Sequence, residues 1–146
     1  MMGHMSSRRR AAHSQSPYET TVGFARAVRQ GKRVYVSGTA PIWPDGHVSP
    51  DPMVQTRRVW EIALGALEEL GGTPEDVVRT RHYITDLDIV DSVSHVHGEF
   101  FGAVRPASTM ILVAGLLDPR WKVEVEIDAV ITKRRRKHGK SKNKKK

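Results

Sequence analysis

The 146-residue sequence contains no cysteine, which excludes a disulfide framework and any reaction that depends on a thiol. It has no apolar run near the ~20 residues that a membrane-spanning helix needs. No apolar stretch follows its first arginines, so it shows no secretory signal peptide. These absences predict a reduced, cytoplasmic protein without a membrane anchor, and the length corresponds to about one domain.

The two ends of the chain lack the apolar side chains that a folded segment buries. The first five residues read as a start methionine and a remnant of cloning, and the rest of residues 1–16 is polar and arginine-rich. Residues 133–146 contain no hydrophobic side chain. Such segments cannot offset the entropy that they lose on ordering. We therefore predict disorder over residues 1–16 and 133–146 and a folded domain over residues 17–132.

Acidic residues are also absent from both ends, so the formal net charge of +8 does not describe the predicted folded domain. Lys133–Lys146 holds ten of the 24 lysines and arginines, and Arg8–Arg10 holds three more. Residues 11–132 therefore carry 24 − 13 = 11 bases against 16 acids, a net charge of −5. The sequence predicts an acidic folded domain with a basic tail.

The hydrophobic pattern predicts two helices and five strands. Apolar residues recur every three or four positions in the helices, whereas the strands are β-branched and aromatic runs. The predicted strands are 20–28, 34–38, 77–85, 108–113 and 123–131, and the predicted helices are 53–70 and 89–101. The order β-β-α-β-α-β-β indicates an α+β fold, in which two helices pack on one face of a mixed sheet.

The last predicted strand has one apolar and one acidic side. Its odd-numbered residues from 123 to 127 are Val, Val and Ile, whereas residues 124, 126 and 128 are Glu, Glu and Asp. Because side chains alternate across a strand, the apolar set should meet the helices and the acidic set should face away. Arg79, Arg81 and Tyr83 share one face of another strand by the same rule. This charged face is either exposed to solvent or built into an oligomer interface.

Short motifs recur in order over residues 18–132. They are Gly23–Val28 (GFARAV), Val34–Gly38 (VYVSG), Gln55–Thr56, Asp76–Thr80 (DVVRT), Tyr83–Asp86 (YITD), Phe100–Phe101, Arg105–Ala107 (RPA) and Val123–Glu126 (VEVE). Together, and with this spacing, they resemble the YjgF/RidA family, also called the Rid or endoribonuclease L-PSP family. The resemblance implies a chorismate-mutase-like fold and a homotrimer, whose three sheets line a central barrel with the helices outside.

The resemblance also implies a reaction, the hydrolysis of enamines and imines such as 2-aminoacrylate to keto acids and ammonia, with no metal or organic cofactor. In the family, a glutamate on the last strand activates or positions water, and Glu124 matches it. An arginine in a Pro-Ala-Arg motif grips the substrate carboxylate. Ser108 occupies that position here, so the chain is a divergent member without this anchor. Arg26 or Arg120 could replace it.

The resemblance places a small-molecule cleft between subunits, with Glu124 as the catalytic residue. The residues implied for substrate binding are Phe24, Ser37, Gly38, Ser94, His97, Ser108 and Met110. Phe24, Ser94 and His97 differ from the tyrosine, asparagine and tyrosine that are common at these positions, which indicates a different ligand. No metal site is predicted, because His95 and His97 fall on different faces of one helix.

Alternatives remain open at this point. Glu124 could instead be a structural acid that pairs with Arg79 or Arg81 across the sheet. The trimer could bind a small ligand, or act like a chaperone, without catalysis. The tail Lys133–Lys146 could bind RNA or another polyanion through counterion release, or serve only to raise solubility.

Overall fold

A computed structural model describes residues 8–132 of the chain, and over this range it contains a six-stranded sheet and two α helices. The strands are β1 (Arg9–Ala12), β2 (Ala27–Gln30), β3 (Arg33–Thr39), β4 (Val77–Ile84), β5 (Ala107–Leu112) and β6 (Val123–Val130). The helices are α1 (Pro52–Glu69) and α2 (Val90–Phe101), and shorter helical turns occupy Glu19–Gly23, Pro74–Asp76 and Leu87–Ile89. None of the helices in residues 8–132 is long and apolar enough to cross a membrane.

The sheet is mixed, and its strand order is β1-β2-β3-β6-β4-β5. Every neighbouring pair is antiparallel except β4 and β5, which are parallel and joined through α2. Strand β6 therefore lies in the centre, between β3 and β4, while β5 forms one edge. This architecture confirms the predicted α+β fold with a mixed sheet.

Helix α1 begins and ends within one residue of the predicted range 53–70. The Asp51 carboxylate accepts a hydrogen bond from Met53 N at 2.8 Å, and Pro52 occupies the first turn, as is common at helix starts. The helix ends before Gly71, whose φ of 96° suits glycine. Val59, Trp60, Ala63 and Leu67 point into the core and are fully buried.

The core lies between the helices and one face of the sheet. In β6, Val123, Val125 and Ile127 are completely buried, whereas the acidic residues between them are partly exposed. The predicted alternation is therefore confirmed. Burying each of these apolar side chains stabilises the fold by about 1.5–3 kcal/mol. Trp60 of α1 packs edge-on against Phe101 of α2, with ring centroids 4.9 Å apart, so both helices cover the same face.

The N-terminal region differs from the prediction in two ways. Residues 20–28 were predicted as one strand, but Glu19–Gly23 forms a π-helical turn and only Ala27 onward is extended in the sheet. The buried Glu19 carboxylate accepts hydrogen bonds from Ser14, and these local contacts override the β-branched pattern.

The boundary of the folded domain also differs, because residues 1–16 were predicted to be disordered. Strand β1 pairs with β2 in this region, and Ala12 is only 1% exposed. Side-chain composition gave no signal for β1, because backbone pairing provides most of its contacts. Residues 1–7 and 133–146, for which disorder was predicted, lie outside the described residues.

Candidate functional site

Glu124 lies near the start of β6, on the sheet face opposite the helices, and is in register with Tyr83 of β4. Its carboxylate approaches the backbone of Gly38 at the end of β3. A Cβ atom added at Gly38 would lie 3.3 Å from Glu124 Oε2. Glycine therefore keeps space open beside the carboxylate, which explains the residue type at this position.

The electrostatic surroundings of Glu124 favour its neutral form more than water does. Burial raises the pKa of Glu124, the charge of Arg26 lowers it, and the charge of Glu126 raises it, with a net upward shift. A carboxylate with a raised pKa accepts a proton more readily at neutral pH. This is the property that a general base needs.

Arg26 is the cation that lies near Glu124. Its Nη2 donates a hydrogen bond to the carbonyl oxygen of Gly38. Burial lowers the pKa of Arg26, and the charges of Glu19 and Glu124 oppose that shift. The other candidate cation, Arg120, instead pairs with Asp118 at 2.8 Å.

Glu19 is the second acid whose charge acts on Arg26, and the sequence gave no signal for this role. Its carboxylate is 6% exposed and accepts hydrogen bonds from Ser14 N at 2.9 Å and His13 Nδ1 at 3.0 Å. Burial would raise the pKa of Glu19, but the hydrogen bonds from Ser14 and His13 and the charge of Arg26 lower it overall. Glu19 is therefore a buried acid whose charge favours the charged form of Arg26, and in this sense it is a counterion.

The segment that leads into β2 lies against the end of β3. Ser37 N donates to Arg26 O at 3.0 Å, and Ser37 Oγ donates to Ala25 O at 2.7 Å. The Ser37 hydroxyl therefore donates its proton to a backbone carbonyl, and its oxygen remains available to accept a hydrogen bond. Phe24 begins this segment and is 37% exposed. We call Phe24, Arg26, Ser37, Gly38 and Glu124 the glutamate cluster.

Other predicted site residues gather around Thr80 of β4, on the helix face of the sheet. Thr80 Oγ1 lies 2.9 Å from His97 Nε2 of α2 and 2.9 Å from Ser108 Oγ of β5. Met110 follows on β5 and packs partly against the core, whereas Ser94 is exposed one turn before His97. We call Thr80, Ser94, His97, Ser108 and Met110 the histidine cluster. The sequence gave no indication of Thr80, because a buried threonine in a strand is common.

Burial disfavours the charged forms of His97 and His82 in and beside the histidine cluster. Burial lowers the pKa of His97. Burial, followed by the charge of His97, lowers the pKa of His82 to about 4, although a hydrogen bond to Thr109 O opposes the shift. His95 lies 3.3 Å from Glu99, on another side of α2. Within residues 8–132, no three metal-ligating side chains gather at one point.

The two clusters lie on opposite faces of the sheet. Thr80 is in register with Ser108 and with the buried Ile127, whereas Tyr83 is in register with Glu124. Because side chains alternate across a strand, Ser108 and Glu124 point away from each other. The structure therefore divides the predicted site residues into two halves that do not meet within one chain.

The structural alternative for Glu124, pairing with Arg79 or Arg81, is not observed. Arg81 lies 3.6 Å from both Glu126 and Asp128, and Arg79 lies 3.8 Å from Asp128. The Tyr83 hydroxyl donates to Glu126 at 2.9 Å. The other two acids of β6 are therefore engaged, and among the described side chains Glu124 forms no direct ion pair.

Comparison with known proteins identifies the family. A model of the endoribonuclease L-PSP family matches residues 14–131. The chain belongs to this family. The match covers both clusters and every strand from β2 onward, so the resemblance seen in the sequence motifs is confirmed.

Proteins from several organisms resemble the chain over most of its length. The protein SCO2049 of Streptomyces coelicolor is 40% identical over 121 residues, which are 82% of this chain and 90% of that protein. The crystal structure of Rv2704 from Mycobacterium tuberculosis, a member of the YjgF/YER057c/UK114 family, has a TM-score of 0.78 and 39% identity. It covers 85% of this chain and 100% of that chain.

A third similar protein has a structure with a ligand. E. coli TdcF with bound serine is similar to this chain with a TM-score of 0.72 and 27% identity, and the match covers 84% of this chain and 94% of that chain. The solved structures share the fold described above, which confirms its YjgF-type, chorismate-mutase-like class.

Proposed function

We propose that this L-PSP-family protein is a Rid-type homotrimer that hydrolyses an enamine or imine of a small metabolite to a carbonyl compound and ammonia. The observation that carries the proposal is the Glu124 carboxylate, which has no ion-pair partner among the described residues and lies beside Gly38. Its raised pKa suits a base that takes a proton from water. Family membership supports a small metabolite as the ligand.

The division of the site into two clusters favours assembly between copies of the chain. Strand β5, which carries Ser108 and Met110, is an edge of the sheet, and its Ile111 and Leu112 are 43% and 49% exposed. An exposed apolar edge strand is a surface that a partner commonly covers. In the proposed trimer, the histidine cluster of one copy faces the glutamate cluster of the next. The site is then complete only at the subunit boundary.

Hydrolysis at this boundary needs one base and one water molecule. Glu124 accepts a proton from water while the water oxygen attacks the imine carbon. The proton then passes to the substrate nitrogen and gives a carbinolamine. Its hydroxyl group loses a proton to the same nitrogen, the carbon–nitrogen bond breaks, and ammonia leaves as the carbonyl forms. Gly38 leaves room for the water, and the hydroxyl groups of Ser37 and Ser108 can hydrogen-bond the substrate. The serine in the TdcF structure supports the idea that small amino compounds bind proteins of this fold.

Ammonia release from freshly generated imines tests the proposal. We expect Glu124→Gln to lower the rate about 100-fold or more, as is typical when a general base is removed. Asp128→Asn, on the same face of the same strand, is the matched control and should keep most of the activity. No acceleration by the wild-type protein would leave only the alternative of a non-catalytic, ligand-binding or chaperone-like trimer. That alternative predicts that ligands raise the melting temperature without turnover.

A second candidate function concerns the basic tail. Ile131 N donates to Lys32 O at 2.8 Å, so the last described residues of the chain lie beside Lys32 and Arg33. Ten basic residues in 133–146 follow this basic corner of the sheet in the sequence. We propose that this end of the molecule binds RNA or another polyanion. Truncation after Thr132 should weaken RNA binding and reduce its salt dependence, and equal binding by both forms would refute this function.

A further inference from the structure

Three side chains of the histidine cluster form a continuous row of hydrogen-bonding atoms. Ser108 Oγ lies 2.9 Å from Thr80 Oγ1, and Thr80 Oγ1 lies 2.9 Å from His97 Nε2. Thr80 and Ser108 are in register on the parallel strands β4 and β5, and His97 belongs to the helix that joins them. The row therefore leads from a serine hydroxyl, through a threonine hydroxyl, to an imidazole nitrogen. The proposed imine hydrolysis uses the Ser108 hydroxyl only as a hydrogen-bonding group.

The two ends of this row differ in their access to solvent. Thr80 is 0% exposed, His97 is partly buried, and Ser108 is exposed. A hydroxyl rotates, and it can donate one hydrogen bond while it accepts another. Thr80 can therefore accept the proton of Ser108 and pass its own proton to His97. An exposed serine becomes a nucleophile when its proton can move to a base in this way.

Aromatic rings position His97 as the base of the row. Its ring centroid lies 4.9 Å from that of Phe101 and 5.7 Å from that of Trp60. Both rings belong to helices that cover the same face of the sheet, so the imidazole is fixed by packing. Burial lowers the pKa of His97, which favours the neutral form that can accept a proton.

The strand that carries Ser108 continues as an apolar surface. Side chains alternate along β5, so Met110 and Leu112 follow Ser108 on the same face. Met110 packs partly against the core, and Leu112 is 49% exposed. A hydrocarbon chain attached to Ser108 could cover both side chains and remove apolar surface from water. The surroundings of Ser108 therefore suit an apolar group better than a charged one.

We propose that Ser108 is a nucleophile that accepts a short apolar acyl group from an ester or thioester, with Thr80 as the bridging hydroxyl and His97 as the base. The bond from Ser108 Oγ to the acyl carbon forms, the Ser108 proton moves to Thr80, and the Thr80 proton moves to His97 Nε2. The ester or thioester bond then breaks, and a proton returns along the row to the leaving alkoxide or thiolate.

Water completes the proposed reaction. Its oxygen bonds to the acyl carbon, the bond to Ser108 Oγ breaks, and a water proton restores the Ser108 hydroxyl as the carboxylic acid leaves. All three residues of the row belong to one chain. This activity is therefore independent of the proposed trimer and of imine hydrolysis.

A serine reagent tests the nucleophile directly. Diisopropyl fluorophosphate forms a bond to an activated serine oxygen with loss of fluoride, and mass spectrometry of peptides from the full chain identifies the modified residue. We expect modification at Ser108 to be at least about tenfold faster than at any other serine. Thr109→Ala removes the next hydroxyl of β5 and should leave this rate unchanged. No modification of Ser108, or equal rates at other serines, would overturn the proposal.

Substitutions in the row distinguish an activated serine from one that is only exposed. Thr80→Val keeps the shape of the side chain and removes the bridging hydroxyl, so we expect modification of Ser108 to slow about 100-fold. Thr80→Ser keeps the hydroxyl and should restore most of the rate. His97→Gln should also slow it about 100-fold, because an amide takes up no proton. His95→Gln, on another side of α2, is the matched control and should behave as wild type. Equal rates in all these variants would refute the role of the row.

The pH dependence of this modification identifies the base. Protonation of His97 blocks proton transfer, so the rate should fall as the pH decreases from 8 to 5. The titratable group packed against His97 is His82, with ring centroids 4.9 Å apart, and its pKa of about 4 keeps it neutral over most of this range. On α2 itself, His95 and Glu99 contact each other on another side. The same fall in His97→Gln would contradict the assignment of His97 as the base.

Two esters of similar length test the class of acyl group. p-Nitrophenyl butanoate carries an apolar acyl chain, and p-nitrophenyl succinate ends in a carboxylate. Relative to the uncatalysed hydrolysis of each ester, we expect the protein to accelerate p-nitrophenolate release from the butanoate at least about tenfold more. Ser108→Ala should lose this acceleration. An equal or larger effect on the succinate, or full activity in Ser108→Ala, would overturn the proposal, whatever the outcome of the imine assay.

Discussion

At the scale of single residues, the site depends on the absence of a side chain at Gly38 as much as on the carboxylate of Glu124. A β-carbon at residue 38 would lie 3.3 Å from Glu124 Oε2, close enough to displace the carboxylate slightly. The φ angle of Gly38 is not in the left-handed region, so alanine is conformationally allowed there. Substitution therefore tests the position of the carboxylate rather than the folding of the backbone.

We predict that Gly38→Ala lowers imine hydrolysis by about tenfold or more, because a small displacement of a catalytic group is costly. Gly65→Ala is the matched control, since a Cβ at Gly65 in α1 meets no atom within 4 Å. That control should keep its activity and gain about 0.5–1 kcal/mol of stability, because alanine favours a helix. Unchanged activity in Gly38→Ala would contradict the role assigned to this space.

A second residue-scale prediction concerns His82, which is 1% exposed and whose pKa is lowered to about 4. In the unfolded chain His82 takes up its proton near pH 6.5. The contribution of the neutral, buried His82 to stability is therefore complete above that pH and is lost as the pH falls toward about 4. The shift corresponds to roughly 3 kcal/mol at most. Urea unfolding at pH 7 and pH 5 should show a smaller loss of stability for His82→Gln than for wild type. Equal losses would contradict the prediction.

At the scale of elements, most of the fold could be predicted because periodicity and burial agree. The helices and strands β3 to β6 follow the predicted ranges within one or two residues. The N-terminal region could not be predicted, since β1 depends on backbone pairing and the turn at Glu19–Gly23 depends on hydrogen bonds from Ser14 and His13. The same limit applies to the site. Motifs gave Glu124 and Gly38, but not the counterion Glu19 or the buried Thr80.

Strand β1 is predicted to support the site as well as the sheet. The Ala12 carbonyl oxygen accepts a hydrogen bond from Arg26 N at 2.9 Å, and Ala12 itself is buried. Deletion of residues 1–12 should lower the free energy of unfolding by about 2–4 kcal/mol, because several backbone hydrogen bonds are lost, and should also reduce activity. Deletion of residues 1–7 alone removes none of these contacts and is the control. Equal stability of the two truncated forms would argue against this role.

At the scale of the whole molecule, one chain holds two incomplete halves of a site. The glutamate cluster lies on the charged face of the sheet, and the histidine cluster opens at the edge strand β5 on the other face. In the proposed trimer the two clusters meet across copies of the chain, and the same assembly would cover the charged face that the helices leave open. The imine hydrolysis that we propose depends on this meeting of the clusters.

Cross-linking tests most directly whether the two clusters of neighbouring copies lie together. The absence of natural cysteine makes the result unambiguous. A Phe24→Cys, Ser108→Cys double variant should react with a short bis-maleimide to give a covalent species of three times the 16.4 kDa chain mass. Each single variant should give no such species, because every boundary would then contain only one thiol. A double variant that yields only the 16.4 kDa chain after treatment would contradict the account.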